Sequence, residues 1–202
     1  MPRGRTYGGK TTEERRAERR AQLLEAGLQL FGTAGYLATT IEELCSTAGL
    51  NPRYFYEQFE SREALLQAVY DRHVQQVLAH VLKVVEDTPA EPRARLHAGL
   101  RAFVDATLAD ERGARVNYFE IVGVNRELEA HRRGVLRGYA ELIAAQAEAL
   151  GAPASLAAGD RRLAATALVG ATDGLVIAWL SGEHDEPHER LVNTLLHIFA
   201  PL

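Results

Sequence analysis

Asn51, Arg53, Tyr54, Tyr56 and Gln58 put a guanidinium, two phenols and two carboxamides into one short stretch of chain. Phe55 and Phe59, four residues apart, share a helical face and turn inward, which leaves Arg53, Tyr54 and Gln58 projecting outward. A cation, an aromatic hydroxyl and an amide on one exposed helix are poorly explained by packing alone. They supply the hydrogen-bond donors and the flat apolar faces of a recognition surface.

The neighbouring elements must hold that helix. Asn51-Pro52 is a strong start, with Asn as cap and Pro preset for the first helical position. Ala48-Gly49-Leu50 is a tight connection. Before it, Thr40 followed three residues later by Glu43 forms a capping box that opens a second short helix, Ile41 to about Thr47. A longer helix beginning near Thr12 or Glu13 carries an apolar face of Leu24, Leu28 and Phe31 and stops at Gly35. Ser61 caps a fourth helix in which Leu66, Tyr70, Val74, Val77, Val81 and Val84 keep helical phase until Pro89. Two short helices joined by a Gly-containing turn behind a supporting helix have the architecture of a DNA-reading helix-turn-helix.

Thr40-Ile41, Ala48-Gly49-Leu50, Phe55-Tyr56, Phe59 and Ser61-Arg62 resemble, at this spacing, the pattern of the TetR (tetracycline-repressor-like) family of transcriptional regulators. The resemblance covers residues 24 to 66; beyond it only helix number, length and a small-residue helix near the C-terminus are similar. It implies that the third helix lies in the major groove, with Arg53 and Tyr54 offered to base edges and phosphates and Tyr56 to the backbone. It also implies a phosphate contact at Thr40, where amide donors at a helix start favour an anion, and another at Arg62, where the family usually has Lys. Asn51 stands for the usual Ser or Thr, and Gln58 for His or Tyr. These departures alter what is read, and they leave Asn51 and Gln58 among the expected DNA-binding residues.

The charge distribution agrees. Residues 1 to 20 carry seven basic and three acidic side chains in a chain whose net charge is −4. A basic arm ahead of an acidic remainder suits a polyanion-binding end, or else a solvated tail. Residues 1–12 read as a flexible basic arm, 13–60 as the helix-turn-helix domain and 61–202 as a ligand-binding and dimerisation domain. Further helices are expected at about 93–110, 114–124, 126–150, 159–181 and 187–200, with no period-two alternation. The fold class is therefore all-α, with about nine helices.

One three-helix head buries little DNA surface, so such modules usually act as two-fold dimers on palindromic half-sites. Ala167, Ala171, Gly174 and Ala178 form a small-residue stripe beside Leu175, and the resemblance implies that the last two long helices pair across a homodimer interface; an internal buried helix fits the stripe too. The resemblance further implies a small-molecule effector held by the middle helices, for which Phe103, Asn117, Tyr118, Phe119, Tyr139 and Trp179 are the candidate lining. Its binding would release a repressor from its operator. The alternative keeps the fold as a ligand-binding or protein-interaction module without DNA binding.

Enzymatic chemistry finds no support: there is no Gly-rich phosphate loop, nucleophile elbow, H-E-x-x-H or cysteine-histidine framework. No cofactor and no metal is expected, and His184, Asp185, Glu186, His188 and Glu189 read as a solvated polar loop. The single cysteine, Cys45, reads as a small buried hydrophobe and excludes an intramolecular disulfide. With no apolar signal segment in residues 1 to 20, a cytoplasmic location is expected. Asp173, Gly170 and Gly174 interrupt the most apolar stretch, so no membrane span is expected either.

Overall fold

A computed structural model describes residues 11–150 and 158–199. The described chain forms nine α-helices and no strand, as the all-α reading expects: α1 (Thr12–Thr33), α2 (Ile41–Ala48), α3 (Pro52–Tyr56), α4 (Arg62–Glu86), α5 (Pro92–Leu108), α6 (Glu111–Arg115), α7 (Arg126–Ala149), α8 (Ala158–Leu180) and α9 (His188–Phe199). A single π-helical turn, Val116–Glu120, continues α6. Ten residues of the expected basic arm and most of the connection between the helices expected at 126–150 and 159–181 lie outside the described residues.

Two compact units divide the chain. The first holds residues up to Val74 together with Glu111–Val124; the second holds Gln75–Asp110 and Asn125–Leu202. Helix α4 contributes to both.

In the first unit, α1 buries Leu23, Ala26 and Phe31 against Leu44 and Cys45 of α2, Phe55, and the Leu65, Leu66, Val69 face of α4. Helix α1 opens on a capping box between Thr11 and Glu14 and ends at Gly35, whose φ of 94° is open to glycine at little cost. The helix expected at 114–124 is instead α6 plus the π-helical turn, and Gly113, just before the expected start, lies inside α6. The reason is steric: a Cβ at Gly113 would stand 2.4 Å from Nδ1 of His73, and one at Gly32 would stand 2.7 Å from Cα of Arg112. Two glycines thus permit a close approach of α6 to α1 and α4 that no periodicity announces. The Glu120 carboxylate completes this packing by accepting from the Tyr36 amide at 2.7 Å and from Arg115 Nε at 2.9 Å.

The second unit is a bundle of the last part of α4 with α5, α7, α8 and α9. Its core includes Leu100 and Val104 of α5, Leu168 and Val176 of α8, and Leu191 and Leu195 of α9. Arg132 of α7 donates to Asp173 of α8 at 3.1 Å, with both side chains mostly covered. Trp179 Nε1 donates to the Glu186 carbonyl at 3.1 Å and its ring meets that of His188 edge-on, closing the α8–α9 loop.

Helix α8 follows the helix expected at 159–181. It runs unbroken through Gly170, Asp173 and Gly174, and from Asp160 to Leu180 it is long enough and apolar enough to cross a membrane, with a mean hydropathy of 1.7. Arg132 compensates the charge that the sequence reading took for an interruption, and glycine costs a helix only about 1 kcal/mol relative to Ala. Only 22% of its most apolar window is buried. Leu163, Ala167, Gly170 and Gly174 make an exposed stripe along it.

Candidate nucleic-acid interface and the body cavity

Local chemistry fixes α2 and α3 at both ends. The Thr40 hydroxyl accepts from the Glu43 amide at 3.2 Å, while the Glu43 carboxylate accepts from the Thr40 amide at 2.8 Å and from its hydroxyl at 2.9 Å. These bonds, the backbone one first, hold the Glu43 carboxyl below its ordinary value. Gly49, at φ 66°, ends α2, and the Leu50 amide donates back to the Cys45 carbonyl at 2.9 Å. Asn51 then caps α3, its side-chain oxygen accepting from the Arg53 amide at 3.0 Å, with Pro52 at the first helical position.

Helix α3 is pinned from behind. Phe55 and Phe59 are both buried, their rings 6.0 Å apart. Arginines of α1, grouped from sequence with the basic arm, reinforce it from the side. Arg19 lies 3.9 Å over the Tyr54 ring and 3.6 Å from the Glu57 carboxylate; Arg20 lies 4.4 Å over Phe59 and reaches the Gln58 carbonyl at 3.4 Å. Only the three-dimensional arrangement reveals these two as supports of α3, since nearly forty residues of sequence separate them from it.

The expected DNA-binding residues divide by placement. Arg53 is the most open, with its side chain 84% exposed and only an i,i+4 pairing to Glu57 at 3.4 Å. Tyr56 is 63% exposed, and Tyr54 is half-covered by Arg19. Thr40 and Asn51 are exposed while their side chains cap helices. Gln58 turns its amide nitrogen into the fold, where it meets no hydrogen-bond partner. Arg62 donates to the Thr39 and Tyr36 carbonyls and stacks 4.6 Å over the Tyr36 ring. Tyr36 in turn donates to Glu63; burial, followed by that bond, raises the phenol above its ordinary value, and the same bond lowers the Glu63 carboxyl. Arg62 therefore joins the loop before α2 to the start of α4.

The second unit forms a partly open cavity of about 300 Å³ whose lining is predominantly apolar, from Leu78 of α4, Leu96 and Phe103 of α5, Tyr139 and Ile143 of α7 and Leu168 of α8. Phe103 and Tyr139 come together in it, ring edge to ring face at 6.0 Å. The other four expected lining residues do not take part. Asn117, Tyr118 and Phe119 lie on the π-helical turn of the first unit, and Trp179 is engaged with His188 and Glu186. Residues the sequence reading passed over, Arg93, Arg95, Gln146, Arg161, Thr172 and Asp173, supply most of the polar part of the lining. Among the described residues no group of three or more His, Cys, Asp and Glu side chains is arranged to hold a metal ion.

Residues 23–69 match the family described as bacterial regulatory proteins, tetR family. The chain is 36% identical over 101 residues to the HTH-type transcriptional activator FasR of Mycolicibacterium smegmatis, covering 50% of this chain and 46% of FasR. It thus spans less than half of that relative's length. It is 26% identical over 203 residues to the HTH-type transcriptional regulator EthR of the same organism, covering 98% of this chain and 90% of EthR. The regulator FadR of Bacillus subtilis, solved in complex with stearoyl-CoA, superposes with a TM-score of 0.77 at 18% identity, over 89% of this chain and 96% of that one, and so shares its fold. The capped α2–α3 pair and the aromatic anchors behind α3 thus lie within residues 23–69, the segment that matches the tetR family of bacterial regulatory proteins.

Proposed function

We propose that this chain is a sequence-specific DNA-binding transcriptional repressor, released from its operator when a small molecule binds. Residues 13–60 form the DNA-binding head and 61–202 the ligand-binding and dimerisation body. The observation that carries the reading is the edge formed by exposed Arg53 and Tyr56 and half-covered Tyr54 on a helix whose other side is locked by Phe55 and Phe59. Arg53 is free to reach a guanine edge, Tyr54 a thymine methyl or a phosphate, and Tyr56 the backbone, while the amide donors at the starts of α2 and α3, beside Thr40 and Asn51, favour phosphate. Gln58 and Arg62 serve mainly to hold the head together.

The regulator works as a homodimer in the cytoplasm on a palindromic site. The exposed stripe of α8, with Leu163 at 69% exposure and Ala167, Gly170 and Gly174 behind it, supports burial of this face against a second copy, with Ala171, Leu175 and Ala178 at its margin. Small residues let paired helices approach closely, and the charged Asp173 of α8, paired with Arg132 of α7, suits a helix packed against protein better than one in lipid. The effector occupies the cavity of the second unit. Its apolar walls, with Arg93, Arg95 and Arg161 at one end, fit a long-chain amphiphile with an anionic head, a class to which the stearoyl-CoA bound by Bacillus subtilis FadR belongs.

Titration of the protein into labelled DNA from its own upstream region and into scrambled DNA, at several salt concentrations, tests the head. Preference for the upstream site, lost in Arg53→Ala and Tyr54→Ala while the weak salt-dependent component persists, is the expected result. No preference for any sequence, including those recovered from a random pool, would sink the regulator reading and favour a binding module that has lost its DNA.

A further inference from the structure

The cavity carries polar groups toward its two ends and is mainly apolar between them, with Gln146 of α7 the polar side chain along its length. Arg93 and Arg95 of α5 and Arg161 of α8 stand at one end; Tyr139 of α7 and Thr172 and Asp173 of α8 stand at the other. Along α8 from Arg161 to Asp173, and along α7 from Leu150 to Tyr139, the lining runs roughly 16–18 Å at 1.5 Å per residue. A simple apolar tail would need no polar group at the far end.

The hydrogen-bonding state of that far end is specific. The Thr172 hydroxyl donates to the Leu168 carbonyl at 2.8 Å, and the Asp173 carboxylate accepts from Arg132 at 3.1 Å. The Tyr139 hydroxyl has no hydrogen-bond partner among the described residues. Burial, and then the neighbouring charge of Asp173, push its ionisation up to about 12, so it stands as an O–H donor at neutral pH. Tyr139 is half-buried and lines the cavity, so its donor is paired when water or a ligand there supplies an acceptor.

Resting on the reading of this cavity as the effector site, we infer that the effector is an acyl-type chain bearing a hydroxyl group at the end remote from its anionic head. A hydroxyl is the group that fits both neighbours, because it accepts from Tyr139 and donates to Asp173. A ketone can only accept, and a second carboxylate would meet the charge of Asp173. The arginine end takes the head group, whether a free carboxylate or the phosphates of a coenzyme A thioester. Specificity then arises as it does at sites built around a ligand hydroxyl, where the analogue lacking it leaves the protein group unpaired.

Calorimetric titration of the full-length protein with plain and ω-hydroxylated chains from octanoyl to stearoyl, as free acids and as coenzyme A thioesters, tests this. At the best-fitting length the hydroxylated chain is expected to bind about tenfold more tightly than the plain one. Tyr139→Phe, which keeps the ring against Phe103, is expected to bring the two chains level while still binding both. The unfolding midpoint of the unliganded variant should not fall, since no bond is lost. Plain chains binding as tightly as hydroxylated ones at every length would overturn the inference and leave the effector site standing. A preference that survives in Tyr139→Phe would overturn the role of Tyr139. Failure of every chain to bind would overturn the amphiphile reading of the cavity itself.

Discussion

Replacing Gly32 by alanine adds a single methyl group whose cost follows from the geometry. Its Cβ would lie 2.5 Å from the Arg112 Cβ, 2.7 Å from the Arg112 Cα and 2.8 Å from the Arg112 carbonyl oxygen. Carbon atoms in contact normally sit about 3.5–4.0 Å apart. The overlap is therefore about 1 Å, and no rotamer relieves it because two of the atoms are backbone and the third is a Cβ. Helix α6 has to retreat from α1, and overpacking of this kind typically costs about 1–3 kcal/mol. Alanine's helix propensity returns about 1 kcal/mol, which would obscure the result if Gly32→Ala were measured alone. Gly138 in α7 resolves this, since nothing lies within 4 Å of a Cβ there. Gly138→Ala gains the propensity term without the overlap, so the difference between the two variants isolates the steric cost. Gly32→Ala should unfold at lower urea concentration than Gly138→Ala by an amount equal to about 1–3 kcal/mol, with unchanged m-value. In thermal melts the two midpoints should differ by several degrees, at about 2–4 °C per kcal/mol for a chain of this size. Equal stability of the two variants would refute the close approach of α6 to α1.

Arg19→Ala should weaken operator binding about two- to fivefold, from loss of a cation–π contact worth about 0.5–1 kcal/mol that orients Tyr54, and Arg19→Lys should restore part of it; gel-shift titration at fixed salt measures both. Glu63 titrates below its ordinary value because Tyr36 donates to its charged form, so its contribution to stability is present above the unfolded-state value and is lost as pH falls through the folded one. Glu63→Gln should accordingly flatten the acid limb of the stability profile, as should Tyr36→Phe, while a limb as steep as the parent's would contradict the assignment. Leu163→Glu places a charge on the exposed face of α8 and should shift the protein to a folded monomer in sedimentation, with the circular dichroism of the parent; an unchanged dimer would exclude that face from the interface.

The head was legible in the sequence because its determinants are local. A Thr and a Glu three apart, a Gly between two short helices, an Asn-Pro start and two Phe four apart each fix backbone direction within one or two turns, and together they place Arg53, Tyr54 and Tyr56 outward. The support given by Arg19 and Arg20, and the inward placement of Arg62 and Gln58, depend on which helix lies beside which, a matter that spacing along the chain does not encode. The body shows the same division more sharply. Period and length gave its helices, and even the small-residue stripe of α8, but the aromatic run at 117–119 had no periodic mark to separate it from the residues that line the cavity. That separation was made by packing: Gly32 and Gly113 let the segment around α6 pack closely against α1 and α4, taking Asn117, Tyr118 and Phe119 into the first unit. The cavity was left to α4, α5, α7 and α8 with the end of α9, with arginines toward one end and a phenol without a hydrogen-bond partner among the described residues at the other. Helix periodicity fixes which face of each element is apolar, whereas only close approach between elements distant in sequence decides which of those faces meet and which enclose a space.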